Sequence, residues 1–305
     1  MKHFLGVDIG GTNVKFGVVD SDGNIIKKKK YPTKEVSEGG DFCGNFSKLL
    51  EKRLAKYPNI ASVGIGIPGT ISADGLSTLD LPNVPSLSRQ PLVKILKNNF
   101  PSLPIAMDND ANAAALGELH FGLDAVPKTY IFITLGTGVG GGCVINGRVF
   151  KGGDGNGLEI GHILSSTGKT IEQNIGKAGI IEMATKYIDE GKLSTSLVKG
   201  EFDAKIVATA AHEGDEVALQ VFHDMGKYVG ELIVSCVRIL DIKSILIGGG
   251  VSETFDYLKG NMYEVINNFL PEYYTKDLNI QLATLGNNAG ILGAASIGID
   301  QINLD

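Results

Sequence analysis

Gly6-Val7-Asp8-Ile9-Gly10-Gly11-Thr12 near the start, and Ile133-Thr134-Leu135-Gly136-Thr137-Gly138 in the second half, are two versions of one pattern. Each ends an apolar strand in glycines and a threonine. Each is followed by a strand, a glycine turn and another strand. In the first case these are Asn13–Asp20, Ser21-Asp22-Gly23 and Asn24–Lys30; in the second they are Gly142–Ile145, Asn146-Gly147 and Arg148–Phe150. Asn-Gly is the strongest short hairpin signal a sequence offers. Helix and strand patterns then alternate in both halves. The first half has a helix over Phe42–Tyr57 with Phe46, Leu49, Leu50 and Leu54 at helical spacing, a strand at Ala61–Ile67, a helix over Pro91–Asn99, a strand at Ile105–Met107 and a helix from Asn112 to Phe121. The second half has a helix over Glu216–Leu240, a strand at Ser244–Ile247, a helix through Tyr257–Phe269, a strand at Ile280–Leu285 and a helix from Ala289 to Ile299. Alternation of this kind defines an α/β fold, and the repeated opening predicts a duplicated unit forming two lobes that face one another. The expected division is a small N-terminal lobe over 1–121, joined by the last helix at 289–305, and a larger lobe over 122–288, with the boundary near Gly122–Lys128.

Length and composition exclude several classes. A chain of 305 residues is longer than one core usually serves. At 43% hydrophobic it is too apolar for a disordered chain. Apolar runs such as Leu232–Cys236 fall far short of the roughly 20 residues of a membrane span. Met1-Lys2-His3-Phe4-Leu5 leads directly into a strand, which reads against export. A net charge of −6 lacks the basic footprint of a nucleic-acid binder. Cys43, Cys143 and Cys236 stand singly, without a disulfide framework or a C-x-x-C knuckle, which fits the cytoplasm. Lys27-Lys28-Lys29-Lys30 reads as a solvated strand end that blunts a sheet edge rather than as the seat of an anionic partner.

The glycine turns carry the chemistry. At Asp8-Ile9-Gly10-Gly11-Thr12, glycine lets the backbone approach an anion, and successive N–H groups form a concave donor nest. Thr12 adds a hydroxyl, Lys15 shares a strand face with Asn13, and Asp8 suits Mg²⁺ held through water. A tight turn that merely needs small residues fits this loop alone equally well. Gly136-Thr137-Gly138-Val139-Gly140-Gly141 matches G-x-G-x-x-G, but the dinucleotide fingerprint requires a helix next. A hairpin follows here, which favours a second phosphate turn over a nicotinamide site. No P-loop motif occurs. Gly248-Gly249-Gly250, between strand and helix, offers backbone to a flat ring such as adenine. Three glycine-rich strand ends, two of them related by the repeat, predict a nucleotide held between the lobes.

Met107-Asp108-Asn109-Asp110-Ala111-Asn112 places four polar residues where a strand meets an alanine-rich helix. Capping accounts for one of them. Four, at the C-terminal end of a strand where α/β ligands bind, allow a carboxylate to take a proton from an alcohol attacking phosphorus. Glu159-Ile160-Gly161-His162 follows a glycine-rich approach, with a carboxylate three residues before the histidine. The other histidines, His3, His120, His212 and His223, read as structural or exposed.

In this order, these segments resemble the ROK family, which groups bacterial sugar kinases with sugar-responsive repressors on a two-lobed actin/hexokinase-type (ribonuclease H-like) fold with a central cleft. The resembling segments are Asp8–Thr12, Gly64-Ile-Gly-Ile-Pro-Gly69, Asn109–Ala114, Leu135–Gly138, Glu159–His162, Ile247–Gly250 and Leu285-Gly-Asn-Asn-Ala-Gly290. The resemblance implies Asp110 as general base on a sugar hydroxyl. Asn109, Glu159, His162 and Glu172 would bond ring hydroxyls, with Gly69 and Asn83 beside them. Gly10, Gly11, Thr12, Thr137 and Gly138 would hold the phosphates of ATP, Lys15 would add charge, Gly249 and Gly250 would flank the adenosine, and Asp8 would serve Mg²⁺. Two departures stand out. Ser165-Ser166-Thr167-Gly168-Lys169-Thr170 replaces the family's cysteine zinc segment, so no zinc is expected, and Asn13 stands where many members have lysine. The chain opens at the first phosphate strand, which is read as lacking the repressors' DNA-binding arm. The expected function is therefore ATP-dependent phosphorylation of a hexose, with glucose at the 6-hydroxyl the leading acceptor. The rivals are N-acetylglucosamine, N-acetylmannosamine, allose or fructose as acceptor, and, in another class, a sugar sensor without turnover. No nucleic-acid or membrane partner is expected. The oligomeric state is not legible, and the resemblance allows a homodimer.

Overall fold

A computed structural model describes residues 2–122 and 126–304; the centre of the expected boundary, 123–125, lies outside the described residues. In chain order the elements are β1 (His3–Ile9), β2 (Asn13–Val19), β3 (Ile25–Pro32), α1 (Thr33–Val36), α2 (Phe42–Lys56), β4 (Ile60–Ile67), α3 (Leu92–Asn99), β5 (Ile105–Asn109) and α4 (Asp110–Phe121). Then come β6 (Tyr130–Leu135), β7 (Val139–Ile145), β8 (Arg148–Val149), α5 (Ile171–Ile175), α6 (Lys177–Glu190), α7 (Ala204–His212) and α8 (Glu216–Leu240). The chain closes with β9 (Ser244–Gly248), α9 (Phe255–Phe269), α10 (Glu272–Thr275), β10 (Asn279–Leu282) and α11 (Ala289–Leu304). Helices α6 and α7 have no counterpart among the expected elements.

Among the described residues the strands form two sheets of five, in the orders β3-β2-β1-β4-β5 and β10-β9-β6-β7-β8. Read from β8, the second order repeats the first. In each, a hairpin lies on one side of the opening strand and two later strands lie on the other. Strands β4 and β5 run parallel to β1, and β9 and β10 run parallel to β6. This is the duplication that the two glycine-ended strands announced. By contacts the chain divides into two compact units: Met1–Lys128 with Gly142–Leu158 and Thr284–Asp305, and Thr129–Gly141 with Glu159–Ala283. Gly142–Leu158, expected with the second lobe, therefore falls within the first unit, where β8 packs on α4.

In the first unit both faces of the sheet are covered at its centre, so β1 and β4 read as continuous apolar runs. Leu5, Val7 and Ile9 join Phe16 on the face that meets Phe42, Phe46 and Leu50 of α2 and Leu92 and Leu96 of α3. The other face carries α11. A Cβ added at Gly6 would lie 2.1 Å from the carbonyl oxygen of Ile291, and one at Gly64 would lie 1.8 Å from that of Ala294. A Cβ at Gly293 would meet the Ala113 carbonyl of α4 at 2.2 Å. Glycine is needed at these places so that backbone can pack against backbone. Strand β3 forms the sheet edge and Lys27–Lys30 are exposed along it, as a solvated edge requires.

Several element ends differ from expectation, and three of them bear on how the elements pack. Helix α4 begins at Asp110 because Asn109 caps it, its Oδ1 accepting from the backbone N–H of Ala111 and Asn112. Strand β7 begins at Val139, directly after Gly138, so Gly140–Gly142 are strand; there Gly142 passes 2.8 Å, measured from an added Cβ, from the Ala111 carbonyl. Strand β10 ends at Leu282. Beyond it, the buried carboxylate of Glu118 accepts from Thr284 N–H, Thr284 Oγ1 and Leu285 N–H, each at 2.9 Å, and so fixes the entry to α11. Glu118→Gln replaces the carboxylate's charge-assisted bonds to these groups by neutral ones and is expected to destabilise the fold by about 1–3 kcal/mol, read as a lowered melting temperature.

Candidate active site

In the first unit the candidate residues gather at the C-terminal ends of β1, β4 and β5. The turn after β1 closes through Gly10 N–H to the Asn13 carbonyl (2.9 Å), and Thr33 holds it from outside, its Oγ1 donating to the Gly10 carbonyl and its N–H to the Thr12 carbonyl. Asn83 stands against this turn: a Cβ on Gly11 would lie 3.0 Å from the Asn83 carbonyl. Asp8 and Lys15 are register partners across β1 and β2, and Lys15 Nζ sits 2.7 Å from Asp8 Oδ2. Lys15, expected at the phosphates, therefore shares its charge with the residue expected to serve Mg²⁺. The Asp8 carboxylate is only partly exposed, and the described residues contain no cluster of three or more His, Cys, Asp or Glu able to cage a metal. A single strand-end carboxylate suits Mg²⁺, which keeps several waters and draws other ligands from substrate phosphates.

After β4 the chain turns at Gly69, whose φ of +106° lies in a region L side chains avoid, and a Cβ there would come 2.3 Å from the Asp80 carbonyl. Asn109 Nδ2 donates to the Gly69 carbonyl at 3.3 Å, while its Oδ1 caps α4. Asn109 is thus held at both ends of its amide, and the exposed Asp110 follows as the first residue of α4. Asp108, next to this pair, is 3% exposed. Its Oδ1 accepts from Asn109 N–H (2.8 Å) and Asn112 Nδ2 (3.0 Å), and its Oδ2 lies 2.6 Å from Lys151 Nζ. No role was expected for Asp108 beyond its membership of the polar run, and none at all for Lys151, since a lone lysine in a glycine-rich loop carries no sequence signal. A cavity of about 500 Å³ opens beside this ion pair, lined among others by Ile71, Met107, Asp108, Arg148, Val149 and Lys151. None of the sequence-predicted site residues lines it.

In the second unit Glu172 organises the remaining candidates. It lies on α5, whose N-cap Thr170 forms a capping box with Gln173. Its Oε2 accepts from Val139 N–H at 2.9 Å, and a Cβ on Gly138 would lie 2.2 Å from the same oxygen. The turn at Thr137 and Gly138 is tied to α6 through Lys177 N–H on the Thr137 carbonyl (3.0 Å). Gly161, between Glu159 and His162, packs on Val139, where a Cβ would lie 2.1 Å from the carbonyl oxygen. The predicted phosphate turn, Glu172 and the short turn of helix at Ile160–His162 are therefore neighbours, with Glu159 and His162 exposed. Gly249, at φ +90°, backs onto the Leu135 carbonyl at the end of β6, and Gly250 next to it faces open space.

The segment in place of the family's zinc ligands is closed by hydroxyls and an amide. Ser165 Oγ pairs with Thr167 Oγ1 (2.8 Å) and donates to the Lys169 carbonyl (2.8 Å). Buried Asn174 donates to Ser165 Oγ (3.0 Å) and to the Thr170 carbonyl (2.8 Å), and Ser166 donates to Glu231. Zinc takes thiolate, imidazole or carboxylate ligands, so hydroxyls and an amide already bonded to one another do not fit it. Asn174→Ala removes the side-chain bonds to Ser165 Oγ and to the Thr170 carbonyl from a buried position. We expect it to destabilise by about 1–3 kcal/mol, measurable as a fall in melting temperature.

Strands closed by glycine turns, a capped carboxylate junction and two sheets of one strand order are what this chain has in common with solved sugar kinases of the actin/hexokinase-like fold. The ROK family model matches residues 4–301, and the chain belongs to the ROK family. It is 33% identical over 320 aligned residues to a glucokinase of Halalkalibacterium halodurans, covering 99% of this chain and 96% of that one. It is 31% identical to an N-acetylmannosamine kinase of Escherichia coli O127:H6, with 95% and 96% covered. Its fold, mixed α/β of the actin/hexokinase-like type, superposes with a TM-score of 0.79 on a ROK family glucokinase from Streptomyces griseus solved with glucose and AMPPNP. That structure is 27% identical, with 98% of this chain and 99% of that one covered.

Proposed function

We propose that this protein transfers the terminal phosphoryl group of ATP to a hexose, with the 6-hydroxyl of an aldohexose such as glucose as acceptor. The observation that carries the reading is the β5–α4 junction. There the exposed Asp110 follows an Asn109 locked to Gly69, the placement a base needs beside a ring whose hydroxyls must be oriented. Sequence relatives that are sugar kinases over nearly their whole length support it. Phosphoryl transfer is chiefly positioning and charge neutralisation. Asp110 accepts the proton of the attacking hydroxyl. Asn109, through its Nδ2, and Glu159, His162 and Glu172 bond the other hydroxyls, with Gly69 and Asn83 beside them. The backbone N–H groups of Gly11 and Thr12, in the turn that Gly10 closes, and of Thr137 and Gly138, receive the phosphates, and Gly249 and Gly250 receive the adenosine. When bound, Mg²⁺ at Asp8 neutralises charge on the phosphate oxygens.

No described helix is long and apolar enough to cross a membrane. A cytoplasmic setting belongs to the same proposal and is supported by three buried cysteines, none of them in a disulfide among the described residues; burial pushes the thiols of Cys43 and Cys143 up to about 11, well away from reactive thiolate. A homodimer, allowed by the family resemblance, is checked by sedimentation. The function is tested by ADP release with Mg²⁺-ATP against a panel of glucose, mannose, allose, fructose, N-acetylglucosamine and N-acetylmannosamine. Fastest turnover with glucose supports the reading. A preference for N-acetylmannosamine, the acceptor named in the Escherichia coli relative, replaces the acceptor while keeping the chemistry. No turnover with any sugar rejects the enzyme.

A further inference from the structure

The loop over 151–158 is fastened to the catalytic junction at both ends, within the first unit. At its start, Lys151 Nζ meets the buried carboxylate of Asp108 at 2.6 Å. Near its end, the Asn156 amide pairs with the backbone of Ile71, accepting from the N–H and donating to the carbonyl, each at 2.9 Å. Between the two, Gly157 N–H closes on the Lys151 carbonyl at 3.0 Å. The loop ends at Leu158 with φ +68°, a left-handed conformation that leucine rarely takes. Such a conformation persists where the surroundings over-determine it, and these fastenings supply that constraint.

Both anchor points belong to the elements that hold the sugar-side residues. Ile71 lies two residues beyond Gly69. Asp108 accepts from the backbone of Asn109, whose side chain in turn bonds Gly69, and from Asn112 in the first turn of α4. A carboxylate so deeply buried needs a partner, and Lys151 is the cation it meets.

We infer that Asp108 and Lys151 are positioning residues for sugar binding: their ion pair clamps the glycine-rich loop to the strand end and sets the attitude of Asn109 against Gly69. Neither residue touches the reacting atoms; the pair acts through the Asn109 main chain and the loop. The inference rests on the hexose-kinase reading.

The test compares Lys151→Met, Lys151→Arg and the double variant Asp108→Asn/Lys151→Met in the full chain, measuring kcat, KM for sugar, KM for ATP and melting temperature. Lys151→Met is expected to raise the sugar KM about ten-fold, inside the roughly hundred-fold that small misplacements cost, with the ATP KM unmoved and kcat changed less than the sugar KM. Lys151→Arg is expected to restore the sugar KM. The double variant removes both the clamp and the unpaired buried charge, so its melting temperature should recover while its sugar KM stays raised. Recovery of both together, or an unmoved sugar KM in Lys151→Met, overturns the inference and leaves the pair a plain stabilising contact. A wild-type chain without hexose turnover rejects the kinase reading itself, a result distinct from either.

Discussion

Asparagine in place of Asp110 is expected to lower kcat by about 10²–10⁴-fold, the usual contribution of a general base, while folding and sugar affinity remain close to those of the wild type. The side chain is exposed at the first position of α4. Asparagine and aspartate are also nearly equal in size, so the substitution removes basicity with little change of shape. The backbone around it is held by other groups, with Asn109 capping the helix and Asp108 bonding Asn109 N–H. The measurement is ADP release at saturating sugar, set beside the melting temperature and equilibrium sugar binding. A variant that keeps more than about a tenth of the wild-type rate removes Asp110 from the role of base. Asp110→Ala separates proton acceptance from hydrogen bonding and is expected to fall at least as far.

The second large effect concerns stability. Gly64→Ala puts a methyl group 1.8 Å from the Ala294 carbonyl oxygen, and the Gly298 nitrogen lies 2.6 Å away. The obstacles are backbone atoms of α11, so no rotamer change relieves the clash and the helix must lift from the sheet. Overpacking of this kind costs about 1–3 kcal/mol or more. For a chain of this size that corresponds to a fall of several degrees, at roughly 2–4 °C per kcal/mol. Gly260→Ala is the control with the opposite sign. It lies inside α9 with nothing near its missing Cβ, and a helix interior favours alanine over glycine by about 1 kcal/mol. If both variants melt lower by the same amount, the close approach of α11 is not what requires glycine at position 64.

Much of the candidate site was legible because each part is written in a few consecutive residues. Gly10-Gly11-Thr12 and Gly136-Thr137-Gly138 mark chain reversals, and the polar run 108–112 marks a strand-to-helix junction. Such signals survive in sequence because local backbone geometry demands particular residue types at fixed spacing. The partnerships were less legible. Asn156 with Ile71, Lys151 with Asp108, and Glu118 with Thr284 and Leu285 join residues tens to more than a hundred positions apart. A lysine or glutamate on its own looks the same whether it faces solvent or a buried partner. Element ends failed for a related reason. Gly140 and Gly141 look like loop by composition, yet they lie in β7, whose Gly142 passes close to the backbone of α4.

The class of fold and its duplication follow from the order of the residues alone, because hydrophobic periodicity and turn chemistry are short-range and the repeat restates them. Tertiary structure decided what each glycine is for. At Gly6, Gly64 and Gly293 it is the room α11 needs, whereas at Gly69 it is a backbone angle closed to other residues. It also decided which charges meet: Lys15 with Asp8, and Lys151 with Asp108. Electrostatic and packing partners are chosen by distance in space. Chain order does not encode that distance until the sheet and its helices have brought the residues together.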